Sequence, residues 1–295
     1  MDFGKVELED LTRIDLTLPP DHEGTTRLLK KQKSKTKTKV FVGCAKWGRK
    51  DWVGKIYPLK TKETDFLPQY AKRFNCIELN ATFYRMPTVK QTSAWAEKVG
   101  NGFLFAPKFT QRITHFRRLK DAGEATTAFL KGVSALGKHL GPLFLQLPPN
   151  FPPKNFEVLR DYVQSLPHDI RVFVELRHPG WFEKETFDNV FDMLEQCKTG
   201  SIITDATGRR DCVHMRLTTP EAFIRFVGNG LHPTDYIRID DWVNRIKSWM
   251  EGGVQTVYFF MHQHEELHSP ELCRYAIQQL NKHCGTNITE PEFVE

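Results

Sequence analysis

The 295-residue chain contains no run of eighteen or so consecutive apolar residues, which excludes a helix of the length needed to span a bilayer. Its opening stretch, MDFGKVELED, carries acids where a secretory leader would carry bases and then an apolar core, so a soluble cytoplasmic protein is expected, with no membrane partner. No C-x-x-C pair occurs among the six cysteines (Cys44, Cys76, Cys197, Cys212, Cys273 and Cys284). Their scatter argues against a disulfide framework and against a zinc site, leaving reduced thiols as the expectation. Neither G-x-G-x-x-G nor G-x-x-x-x-G-K-[ST] follows the first strand-like run, which weakens a doubly wound nucleotide-binding sheet.

With 40% hydrophobic and 26% charged residues, the chain can bury a substantial core. The net charge is +6. Residues 1–39 hold nine Lys and Arg against seven acids, so most of the surplus belongs to the remainder, which is basic enough to favour anionic ligands. The segment TTRLLKKQKSKTKTK interleaves Lys with Ser and Thr and shows no apolar periodicity. It reads as part of a mobile basic extension over 1–38, serving either as a solvated linker or as a nucleic-acid arm. A single folded domain is then expected over 39–295.

Within that body, strand-like runs at 40–45, 76–84, 103–109, 142–147, 172–177, 201–205, 223–228 and 257–262 alternate with helix-compatible stretches, except for irregular chain after 201–205. Strands separated by helices pair in parallel, and eight such units in about 250 residues match a TIM-type (β/α) barrel, an α/β fold. In such a barrel the outer strand face lies under helices, so charged strand residues point inward near an open end. Period-two counting puts Glu78, Asn80 and Thr82 on one face, and Glu175 with Arg177 on another. Lys108, Gln146, Asp205, Arg225 and His262 also fall late in their runs. Apolar residues early and polar residues late place a site at the C-terminal mouth, with Trp47, Trp52, Phe83, Tyr84 and Trp181 as candidate walls.

The blocks GCAKW…W…YP, IELNATFY, F-x-F-x-x-K…ITH, LG-x-L-x-LQLPP, VELRHPGW, the strand-ending Asp205 and F-x-R-F-x-G resemble the YecE-like family, also called domain of unknown function 72. The resemblance runs in order from Gly43 to about Leu280. It implies a TIM-type barrel and carries no established activity. Where that family tends to end its last strand in two asparagines, this chain has His262 and Gln263, and the basic N-terminal extension lies outside the matched blocks.

Glu78, Glu175 and Asp205 are expected to converge with Lys108, Arg177 and Arg225. Acids beside fixed cations stay ionised. The leading expectation is an enzyme, with a hydrolase as the candidate class, acting on an anionic substrate that is phosphate-bearing or derived from nucleic acid. Lys108, Arg177 and Arg225 would grip the anion, and Asn80, Gln146, Tyr84, Trp47 and Trp181 would complete the binding surface. Glu175 or Glu78 would act as base or nucleophile beside an ionised Asp205, while His178 or His115 shuttles a proton. A divalent metal is a possible cofactor, with His262 and His264 as candidate ligands. Three rivals compete with this reading: a glycoside hydrolase using Glu78 and Glu175, a nucleic-acid-binding barrel without turnover, and an ion-pair network that merely stiffens the rim.

Overall fold

Eight short runs rich in Val, Ile, Leu and Phe form parallel strands: β1 Lys39–Cys44, β2 Cys76–Leu79, β3 Leu104–Pro107, β4 Leu143–Gln146, β5 Val172–Glu175, β6 Gly200–Asp205, β7 Glu221–Gly228 and β8 Thr256–Gln263. The computed structural model describes residues 3–32 and 37–294. Six strands form one ladder in the order β1-β8-β7-β6-β5-β4, and β2 pairs with β3. Two seams close the ring into a TIM-type barrel. Between β3 and β4, the Phe109 and Gly141 amides donate to the carbonyls of Phe144 (3.0 Å) and Phe105 (2.7 Å). Between β1 and β2 side chains do the joining: the Val42 amide donates to Asn75 Oδ1 (2.9 Å), and Tyr70 Oη accepts from the Cys44 amide (2.7 Å) while donating to the Cys76 carbonyl (3.0 Å). Gly43 permits this approach, since a Cβ there would stand 2.1 Å from the Cys76 oxygen.

Alternation along the strands divides the interior from the helix-facing side. Phe144, Phe173, Phe223, Tyr258 and Phe260 point inward and fill the lower barrel with rings. Their neighbours Leu145, Val174, Ile224 and Phe259 point outward beneath the helices. Each buried ring contributes about 1.5–3 kcal/mol. The helices are α1 Glu23–Lys30, α2 Phe66–Ala71, α3 Ala81–Tyr84, α4 Val89–Ala96, α5 Gly123–Ser134, α6 Phe156–Gln164, α7 Lys184–Gln196, α8 Pro233–Gly252 and α9 Ser269–Cys284. Among the described residues no helix is long and apolar enough to cross a membrane. The six cysteines are free thiols.

Two expectations need correction. The run at 76–84 is not one strand: β2 stops at Leu79 and α3 follows, so period-two parity ends before Thr82. Residues 3–32 do not form a mobile extension either. Leu28 and Leu29 of α1 are buried in the core, and Thr25 Oγ1 donates to the Met215 carbonyl (2.8 Å). Upstream, Asp21 pairs with Arg245 (2.6 Å) on α8. The buried face of α1 consists of just four positions, 24, 25, 28 and 29, of which only the two leucines are strongly apolar, too few to stand out among lysines. Lys33 and Lys35 of the basic segment lie outside the described residues.

Candidate functional site at the barrel mouth

Above the ring-filled layer the interior becomes charged. Arg225, on β7 over the Phe144 ring (5.5 Å), bridges two carboxylates. Its Nε and Nη2 donate to Glu78 Oε2 and Oε1 (both 2.8 Å), and its Nη1 donates to Glu175 Oε2 (2.7 Å). Glu175 Oε1 accepts from Arg177 Nε (2.9 Å) and Thr204 Oγ1 (3.1 Å). Asn80 Nδ2 donates to Glu78 Oε1 (2.9 Å). His262 has one carboxylate on each ring nitrogen, Glu78 Oε2 at 2.9 Å from Nε2 and Glu266 Oε1 at 3.3 Å from Nδ1.

Charge explains how these buried groups coexist. Burial alone would raise both carboxyls, but Arg225 and His262 hold Glu78 well below its ordinary range, and Arg177 and Arg225 lower Glu175. Burial would likewise lower His262, yet Glu78 and Glu266 raise it. Lys108 moves the other way. Burial, then the Arg225 and Arg177 guanidiniums, bring its ammonium down to about 7.

Lys108 and Arg177 form the solvent-side layer, 8% and 9% exposed, whereas Glu78, Glu175, Arg225 and His262 are at 2% or less. Lys108 follows β3 and donates to Gln146 Oε1 (2.6 Å), with Nζ 4.2 Å from the Phe83 ring centroid. Among the described residues, Arg177 Nη2 is buried without a hydrogen-bond partner. Above it, the Phe3 ring stacks on the guanidiniums of Arg177 (4.1 Å) and Arg209 (4.9 Å). With His262 protonated, Arg177, Arg225 and His262 balance the three carboxylates of Glu78, Glu175 and Glu266, and the Lys108 proton is the one charge beyond that balance.

The structure thus brings together Glu78, Asn80, Lys108, Gln146, Glu175, Arg177, Arg225 and His262. It places others elsewhere. Asp205 points outward beneath α8, paired with Arg210 and with Arg238 (2.7 Å), and it accepts from Trp242 Nε1 (2.7 Å). The inward residue of β6 is Thr204. Both Ile202 and Ile203 precede it, so the sequence carries no parity signal there. Trp181 is buried against Phe151, donating to its carbonyl (2.7 Å). Trp47 packs edge-on against Trp95 (5.5 Å) and Phe105 (6.3 Å), on the helix-facing side. Tyr84 is exposed on the rim, where Phe83 meets it edge-on. His178 caps the turn Pro179–Phe182, its Nδ1 accepting from the Gly180 amide (3.0 Å).

His115 lies nearer the cations, and burial together with Lys108 and Arg177 lowers it to about 4. His264 follows the end of β8, and strand parity does not carry it to the face of His262. Among the described residues no group of three or more His, Cys, Asp or Glu side chains is arranged to hold a metal ion. Sequence reasoning missed Thr204, Glu266 and Phe3. Only Glu266 left a trace, four residues beyond His262.

Residues 41–293 match the model of a family described as "Protein of unknown function DUF72". The chain is 28% identical over 262 residues to the UPF0759 protein YecE of Escherichia coli K12, covering 82% of this chain and 93% of that one. It is 26% identical over 165 residues to the UPF0759 protein YunF of Bacillus subtilis, covering 53% and 57%. Among solved structures, a DUF72 family protein from Thermotoga maritima superposes with a TM-score of 0.63 at 23% identity over 84% of this chain and all of that one. Another, from Enterococcus faecalis, gives 0.64 at 16% identity over 87% and 100%.

Proposed function

Given that the chain belongs to the DUF72 family of proteins of unknown function, we propose that its barrel mouth is the active site of an enzyme that binds a small anionic substrate through Arg177 and Lys108. The observation that carries this reading is Arg177 Nη2, a buried guanidinium donor with no acceptor. A buried donor left without its hydrogen bond costs about 1–3 kcal/mol, and more when it is charged, and an anion's oxygen would recover it. Glu175 and Glu78 are positioning residues here. Their oxygens are engaged by Arg177, Thr204 and Arg225, and their depressed pKa values make them poor bases. Because Arg225 lies between the two carboxylates, where a glycosidic oxygen would have to sit, the glycosidase arrangement is not supported.

The test is calorimetric titration with phosphate, sulfate and small carboxylates. Arg177→Met should weaken binding of the best anion at least tenfold, about 1.4 kcal/mol. Equal affinity in the variant and the parent would sink the assignment.

The segments after β2 and β3 favour a second reading. Tyr84, followed by Arg85, is 69% exposed, and Phe116, accompanied in the sequence by Arg112, Arg117 and Arg118, is 72% exposed. Aromatic faces among cations suit single-stranded nucleic acid. That reading requires oligonucleotide binding that falls steeply between about 50 and 200 mM salt, and no binding at low salt removes it.

A further inference from the structure

Lys55 meets Glu271 (2.6 Å) and Lys50 meets Glu63 (2.8 Å), while the exposed Lys98 and Lys138 donate to neutral oxygens of Thr64 and Asn101. Lys108 also has a neutral acceptor, but it is buried. Its Nζ has a neutral amide acceptor, Gln146 Oε1, and among the described residues no carboxylate lies within ion-pairing distance of it. Its backbone is fixed on both sides: the amide donates to the Leu79 carbonyl (3.2 Å), and the carbonyl accepts from Thr82 Oγ1 (2.7 Å). The side chain rises between the Phe83 and Phe144 rings to the solvent side of the cluster. A primary amine held in apolar walls, where burial and two guanidiniums outweigh the more weakly acting Glu175 and Glu78, has its proton destabilised while its lone pair stays near the opening.

We propose that Lys108 is a nucleophile that forms an imine with the carbonyl carbon of a small anionic carbonyl compound, whose negative group docks on Arg177. This deepens the reading of the mouth as an anion site and rests on it. In the step, the Nζ lone pair forms a C–N bond as the carbonyl π pair moves onto oxygen. One proton passes from nitrogen to that oxygen through solvent, giving a carbinolamine. The hydroxyl then leaves as water, the nitrogen loses its remaining proton and C=N is formed. No oxidant or reductant takes part. The lowered proton affinity of Lys108 agrees with this role, because an amine half neutral near pH 7 far exceeds the neutral fraction of an ordinary lysine.

Reductive trapping tests the proposal. The full chain is incubated separately with glyoxylate, glycolaldehyde phosphate and propanal in the presence of cyanoborohydride, and adducts are mapped by peptide mass spectrometry. The expected result is one dominant adduct at Lys108, at least tenfold over any other lysine at pH 7. It should be slowed by inorganic phosphate and absent in Lys108→Arg. Faster labelling by glyoxylate identifies a carboxylate docking group, and faster labelling by glycolaldehyde phosphate a phosphate. If calorimetry registers anion binding that depends on Arg177 but no carbonyl labels Lys108, the nucleophile is overturned and the anion site stands. If propanal labels Lys108 as fast as the anionic compounds and phosphate gives no protection, the nucleophile stands and the anion reading falls. Because trapping and phosphate protection are both measured on the unmutated protein, a folding defect in Lys108→Arg does not blunt the test.

Discussion

Two buried ion clusters flank the barrel wall only a strand's thickness apart, and they are built to opposite ends. The outer one centres on Asp205, whose oxygens receive Arg210, Arg238 and Trp242 beneath α8. Arg238 leaves Nε without an acceptor, but its guanidinium is sealed over the Phe226 ring (4.3 Å). The inner one ends toward solvent in Lys108 and Arg177, one cation with a single neutral acceptor and one with an unused donor. A buried acid between fixed cations serves architecture, whereas an unused guanidinium donor at an opening is ready for a ligand.

The comparison breaks most readily at Asp205. Asp205→Asn removes the charge that compensates Arg210 and Arg238, and it should cost about 3–5 kcal/mol in denaturant unfolding without weakening anion binding. A matching loss of anion affinity would erase the distinction between the clusters.

Lys108→Met sharpens the contrast through pH. The Lys108 ammonium is depressed from an ordinary 10.5 to about 7, so between those values the unfolded chain binds more protons and stability climbs with pH. The penalty is complete below about 7 and relieved toward 10.5. Replacing the lysine should therefore stabilise the fold most at pH 6, with the gain shrinking by pH 10, as followed by thermal unfolding. A gain independent of pH would mean that Lys108 does not titrate as assigned.

The smallest effect belongs to Phe3. Phe3→Ala removes a stacking contact of about 0.5–1 kcal/mol and uncovers Arg177, so anion association should quicken in stopped-flow measurements while stability barely moves. Slower association would instead make the ring a wall of the binding site.

Much of the fold was legible because strand and helix periods are local. Each of the eight strand-like runs overlaps a strand, and aliphatic-rich outer faces with Phe-lined inner faces follow from alternation. Legibility failed where local parity was ambiguous or the chain turned early. Asp205 follows two isoleucines that face opposite sides, and the stretch after Leu79 becomes a helix. Trp181 and Trp47 look like mouth aromatics, because nothing in a tryptophan's neighbours says which surface its ring will cover.

The sequence by itself determined the order of strands and helices, the parallel barrel they must form, and the lateness of most polar strand residues. Only the tertiary structure decided that Arg225 would join Glu78 to Glu175 across 147 and 50 residues, that Phe3 would return to cover Arg177, and that Lys108 would meet an amide and no acid. Periodicity acts within a few residues, whereas charge compensation is settled by which groups share a low-dielectric space, and that depends on closure of the whole ring.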